Sequence, residues 1–270
     1  MGKYIPAASI DEVLSQLTQI IAESENKGDR RGYFAALYFQ VTSKVKDGIA
    51  HNQFENGPRM ERLDVLFANR YLLAFNQWEN NLPLSGSWKI AFEATKRSEV
   101  LVVQHLLLGI NAHINLDLGI AAVETSLNQP LTDIQDDFNI INEILSAMTY
   151  KVIHDVNRVS PLISLIGLHA GNTESVLAQF SIDNARDGAW CFAEALMAKK
   201  GADYQSCISD RDKDISTLAQ ALVDSRGVIR ITLWIIHLFE WKNPKKIVRV
   251  LCNAKKKFIK VATLPTLRST

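Results

Sequence analysis

An all-α fold is what this chain predicts, and three features of its residue order predict it. Nearly every stretch between turn signals carries apolar residues at helical spacing, and none shows sustained two-residue alternation. Breakers fall between those stretches, at Lys27-Gly28-Asp29, Asn56-Gly57-Pro58, Leu82-Pro83 with Ser85-Gly86, Gln129-Pro130, Ser160-Pro161, Gly171-Asn172 and Asn243-Pro244. Residues 100–123, VLVVQHLLLGINAHINLDLGIAAV, are poor in charge on all sides, as a helix at the centre of a bundle should be. We therefore expect a single all-helical domain over residues 1–270, a bundle wrapped around a buried central helix at about 98–127.

The expected helices cover residues 9–26, 31–50, 58–80, 87–96, 98–127, 132–157, 161–170, 173–200, 205–223, 226–241 and 244–257. The first two are divided by the Lys27-Gly28-Asp29 break. Pro58 suits the first turn of the third, and Glu61 just inside it complements the helix dipole. Asp64 on that helix falls among Leu63, Phe67 and Tyr71, a core-directed group where a carboxylate needs a cation, a metal or a proton. The short fourth helix follows Ser85-Gly86, and the central one comes next. Ahead of the sixth, Thr132 and Gln135 read as a capping box. Acids in its first turn complement the helix N-terminus, which explains an Asp133, Asp136, Asp137 run that otherwise invites comparison with terpene-cyclase aspartate motifs. Within residues 173–200, Arg186 shares a row with Ile182, Ala189, Ala193 and Met197, with Trp190 beside it. A guanidinium there needs a carboxylate such as Asp117 or Glu124, or an anionic ligand. Residues 242–260 are strongly basic and read as a solvated helix face leading into a basic tail over 242–270.

The central stretch also carries the chemistry. His105, Gly109, His113 and Asp117 follow an i+4 row, whereas Asn111 and Asn115 point to another side. His113 and Asp117 have the spacing at which two ligands reach one ion, or at which a carboxylate orients an imidazole. His105 lies two turns earlier, and Gly109 opens the row for a ligand, a water or neighbouring backbone. The run is long enough to span a membrane, but two imidazoles, two carboxamides and a carboxylate in lipid would be expensive, so no span is expected.

Composition fits a folded cytoplasmic protein, with 47% hydrophobic residues, 22% charged residues and a net charge of +1. Near-neutral charge argues against nucleic acid as the main partner. The start MGKYIPAASIDEV has no apolar signal core, so export is not expected. Cys191, Cys207 and Cys252 are odd in number and widely spaced, as reduced thiols are. The GxSxG, P-loop, GxGxxG, HExxH and EF-hand patterns are all missing.

The segments GDRRGYFAALYFQVTSKV, MERLDVLFANRYLLAF, HLLLGINAHINLDLGIA and DDFNIINEIL resemble an uncharacterised all-helical family classed only as a domain of unknown function. Residues 105–119 are the most specific part of that resemblance, which implies no established activity. His113-x-x-x-Asp117 also resembles, more distantly, the zinc-dependent phospholipase C and single-strand nuclease superfamily, although its N-terminal tryptophan ligand and GDxxQPxH pattern are missing here. The expectation is a small-molecule ligand in a pocket formed by Asp64, His105, His113, Asp117 and Arg186. One version places a zinc, iron or manganese ion on His113 and Asp117 in a hydrolase-like site. Another is a cyclase or isomerase that performs metal-free acid–base chemistry on a hydrophobic molecule. A third is a non-catalytic helical binding or interaction protein in which these residues satisfy one another.

Overall fold

A computed structural model describes residues 4–126, 129–169 and 176–252 of the chain, and these are mostly helical with no strand among them. The helix ends follow their capping chemistry. Ser9 accepts from the Glu12 N–H to start Ile10–Lys27, and Gly28 closes it at φ 71°, a left-handed conformation that glycine adopts without strain. Helix Gly32–Ala50 follows, then Gly57–Glu79, opened by the Asn56 side chain accepting from the Arg59 N–H. Ser85 caps Gly86–Ala94, and Asp212 accepts from the Gly86 and Ser87 N–H groups at 2.6 and 3.0 Å. That carboxylate ties the short helix to Gly201–Val223.

The central helix spans Val102–Ser126 and is long and apolar enough to cross a membrane, yet 78% of its most apolar 18-residue stretch is buried inside the fold. Its polar residues divide by face, as the i+4 rows predict. Asn111 donates to the Ile215 carbonyl at 3.0 Å, Asn115 donates to Asn111 at 3.0 Å, and Arg211 Nε donates to the Asn115 carbonyl at 3.0 Å. This face is stitched to Gly201–Val223. At the start of the helix Gln104 bonds the Leu101 N–H and the Leu222 carbonyl, while the buried Glu240 carboxylate accepts from the Val102 N–H and from Ser160 Oγ. Burial still pushes the Glu240 carboxyl up to about 7 against those bonds.

Several expectations need correction. The central helix is not uniformly α: it is α over Val102–Ala112, π over His113–Leu118 and α over Gly119–Ser126. Such widened turns are rare and occur often at functional sites. Gly109 admits neither ligand nor backbone, because the Phe34 ring fills its space; a Cβ there would stand 2.3 Å from that ring. The expected 173–200 helix is divided, with a short turn Val176–Gln179 and then Ile182–Met197 capped by Ser181. The Gly171-Asn172 break lies outside the described residues. Residues 163–169 form a 3-10 helix rather than an α-helix. Another 3-10 turn, Leu131–Ile134, precedes helix Gln135–Val159 and places Thr132 inside it, so no Thr132 capping box forms. Asp137 is instead buried, accepting from the Glu55 and Asn56 N–H groups at 2.7 and 3.3 Å and from Arg59 at 2.9 Å. The basic side chains of Pro244–Cys252, Lys245, Lys246 and Arg249, form the exposed face expected of them, while Ile247, Val248 and Leu251 bury the other side. The tail beyond residue 252 lies outside the described residues.

The α-helix resumes at Gly119 against Ile182–Met197, at close range. A Cβ on Gly119 would sit 2.6 Å from Phe192 and 2.9 Å from the Ala189 carbonyl oxygen, and backbone cannot rotate aside. Gly119→Ala should therefore lower the unfolding free energy by about 1–3 kcal/mol, despite the better helix propensity of alanine. Urea denaturation measures this, and an unchanged or raised midpoint would contradict the close packing.

Candidate functional site

A cavity of about 290 Å³ lies beside the π turn, bounded by Gly32–Ala50, Gly57–Glu79, the central helix, Gln135–Val159 and Ile182–Met197. Side chains such as Phe67, Leu106, Ile110 and Met148 make its wall overwhelmingly apolar, with Tyr38, Asp64, His113 and Arg186 as its main polar members. The volume is near the lower end of ligand pockets, which run from about 300 to 1,000 Å³.

His113 stands at the start of the π turn, 2% exposed. Its ring stacks on Phe67 with centroids 3.5 Å apart and meets the edge of Tyr38 at 4.5 Å. Its Nδ1 bonds Asp117 Oδ2 at 3.2 Å. Asp117 also accepts from Arg70 Nε at 2.9 Å on Oδ1 and from Trp88 Nε1 at 2.9 Å on Oδ2. Burial alone would raise the Asp117 carboxyl, but the Arg70 charge and the bonds from His113 and Trp88 more than offset it, holding the group below the usual carboxylate range. An ionised Asp117 only accepts, so His113 carries its proton on Nδ1 and leaves Nε2 as a lone-pair base. Nε2 has no hydrogen-bond partner among the described residues. Burial pushes the His113 imidazole below its ordinary value, and Asp117 only partly restores it.

Asp64 reaches the same wall from Gly57–Glu79 and is 4% exposed. Its Oδ2 has no hydrogen-bond partner among the described residues. Burial first, and the nearby Glu61 charge second, raise its carboxyl to about 8, so it holds a proton at neutral pH. Arg186 is 2% exposed, donates to the Phe138 carbonyl and lies 4.4 Å from the Phe138 ring centroid. Burial lowers its guanidinium to about 10, so it remains charged at neutral pH.

Four of the five expected site residues thus come together. Asp64, His113 and Arg186 line one cavity, and Asp117 supports His113 from behind. His105 does not join them. It packs against Tyr33 with ring centroids 5.6 Å apart, beside a separate space of about 20 Å³, and burial pushes it down to about 3. The expected Arg186 pairing with Asp117 or Glu124 is also absent, because Arg70 bonds Asp117 and lies 4.0 Å from Glu124. Trp190 packs on the Phe138 ring. The metal version does not fit this geometry. Among the described residues no three His, Cys, Asp or Glu side chains gather as ligands, and both Asp117 oxygens already face donors. Arg70, Trp88 and Tyr38 are the contributors that residue spacing did not reveal.

These features define an all-helical protein in which a buried His–Asp pair borders an apolar cavity. The chain belongs to the family of unknown function DUF5995, whose model matches residues 10–225. That span contains every site residue described above and ends before Val228–Phe239 and Pro244–Cys252. No curated protein and no solved structure matches the chain, and the phospholipase C likeness has no match behind it.

The protonated Asp64 makes stability depend on pH. Its folded value of about 8 lies above that of an exposed carboxyl, so the folded state keeps a proton that the unfolded state has released, and stability falls as pH rises toward 8. Glu240, raised to about 7, acts in the same direction, whereas His105 and His113, both lowered, act oppositely but only below about pH 6.5. Between about pH 6.5 and 8 the protein should lose stability, with Asp64 accounting for about 1–2 kcal/mol. Denaturant titrations of wild type and Asp64→Asn across that window test it, and parallel curves for the two would contradict a protonated Asp64.

Proposed function

We propose that this protein binds a hydrophobic small molecule in the cavity and shifts protons on it without a metal, as an isomerase or cyclase does. The observation that carries this reading is the pairing of opposite proton roles on one apolar wall: a protonated Asp64 and a His113 whose Nε2 is free to accept. An acid and a base whose surroundings push their protonation states apart are suited to such chemistry. His113 Nε2 removes a proton from the bound molecule, and the carboxyl of Asp64 donates one or hydrogen-bonds the oxygen on which charge develops. Asp117 stabilises the imidazolium that forms, while Arg70 and Trp88 keep Asp117 ionised and oriented. A proton leaves one position and another arrives elsewhere, so the transfer needs no redox partner. The apolar wall favours replacement of water by a hydrophobic molecule.

Hydrogen–deuterium exchange provides a test that does not need the natural substrate. Decan-2-one in deuterated buffer should bind, and its α-hydrogens should exchange faster with the protein than without it. His113→Ala should retain binding and lose about a hundredfold or more of the protein-dependent rate. Binding of the ketone with exchange at the buffer rate would contradict the catalytic part and favour a hydrophobic-ligand carrier.

A further inference from the structure

Arg186 carries a buried charge that forms no ion pair with a carboxylate among the described residues. No carboxylate among the described residues pairs with it: Asp117 and Glu124 face Arg70 instead. Asp183 and Asp187, the acids that attract it, are exposed positions on its own helix. The Asp64 carboxyl on the same cavity wall is protonated at neutral pH and does not neutralise it. One N–H of the guanidinium is met by the Phe138 carbonyl and its face by the Phe138 ring, but Nε has no hydrogen-bond partner among the described residues. Desolvating a permanent cation is costly unless an anion compensates.

We propose that the molecule bound in the cavity is a medium-chain carboxylic acid, its carboxylate paired with Arg186 and its hydrocarbon part filling the apolar remainder. This rests on the reading of the cavity as a ligand site and adds the chemical class of the ligand. Charge matching selects the head group. A single guanidinium balances a monoanionic carboxylate and matches its planar geometry, whereas a phosphate near two negative charges would leave a surplus among apolar side chains. The size of the cavity selects the tail. About 290 Å³ holds roughly ten groups of water or methylene size, which suits a chain or fused ring of about that many carbons.

The test is calorimetric titration of the full chain at neutral pH with decanoate, decan-1-ol and methyl decanoate. Decanoate should bind about ten- to a hundredfold more tightly than either neutral compound, the range expected of a hydrogen-bonded ionic contact. In Arg186→Met that preference should vanish while decan-1-ol binds as before. If the variant does not fold, the wild-type ranking still decides, together with competition: decanoate should displace the neutral fluorophore N-phenyl-1-naphthylamine from the same site. Neutral compounds that bind as tightly as decanoate would overturn the acid proposal and leave the cavity reading intact. Decanoate that binds without displacing the fluorophore would place it on the surface and also overturn the proposal. Failure of all the compounds to bind would remove both readings.

Discussion

The Asp117 carboxylate is the constraint on which the rest of the site depends. A charge in the middle of this long apolar helix persists only if its surroundings replace water, and here three elements do so. Arg70 comes from Gly57–Glu79, Trp88 from Gly86–Ala94, and His113 from the π turn of the central helix itself. Their donors fix how two neighbouring helices meet the central one. Because Arg70 is partly exposed, the ion pair is not sealed, and the cation keeps some of its hydration. The proton position on His113 follows from this arrangement, and so does the base it presents beside the cavity.

The cavity inherits an unusual charge state. Asp64 is neutral because burial favours its protonated form, His113 is neutral because burial outweighs Asp117, and Arg186 stays charged because guanidinium holds its proton. The wall therefore carries one acid, one base and one cation. The opposite face of the central helix, with Asn111 and Asn115, is instead closed by bonds to neighbouring backbone and side chains. One helix thus packs through hydrogen bonds on one side and lines the cavity on the other.

The helical pattern was legible in the residue order because burying one stripe of an amphipathic helix imposes a period that survives in sequence. His113 and Asp117 were legible because their spacing is local, and Asp64 and Arg186 because each interrupts an apolar stripe. The partners were not. Arg70 and Trp88 reach Asp117 across 47 and 29 residues, and nothing local distinguishes Arg70 from a solvated arginine. The π turn left no mark because a shift in backbone bonding changes no side-chain period strongly enough to read. His105 was misplaced by its helical row. Two turns separate it from His113, and Phe34, seated over Gly109, separates the two environments. Thr132 lies within a 3-10 turn that a spacing rule does not reveal, which is why its capping pattern forms no cap.

The central claim is that Asp117 holds His113 neutral, with its proton on Nδ1 and Nε2 free. Nitrogen-15 NMR of the imidazole measures this directly, because protonated and lone-pair nitrogens differ widely in chemical shift. The account predicts that His113 shows a protonated Nδ1 and a bare Nε2, and that it is still predominantly neutral near pH 6.5, where an unperturbed histidine is about half charged. A proton on Nε2, or half-protonation at that ordinary pH, would contradict it.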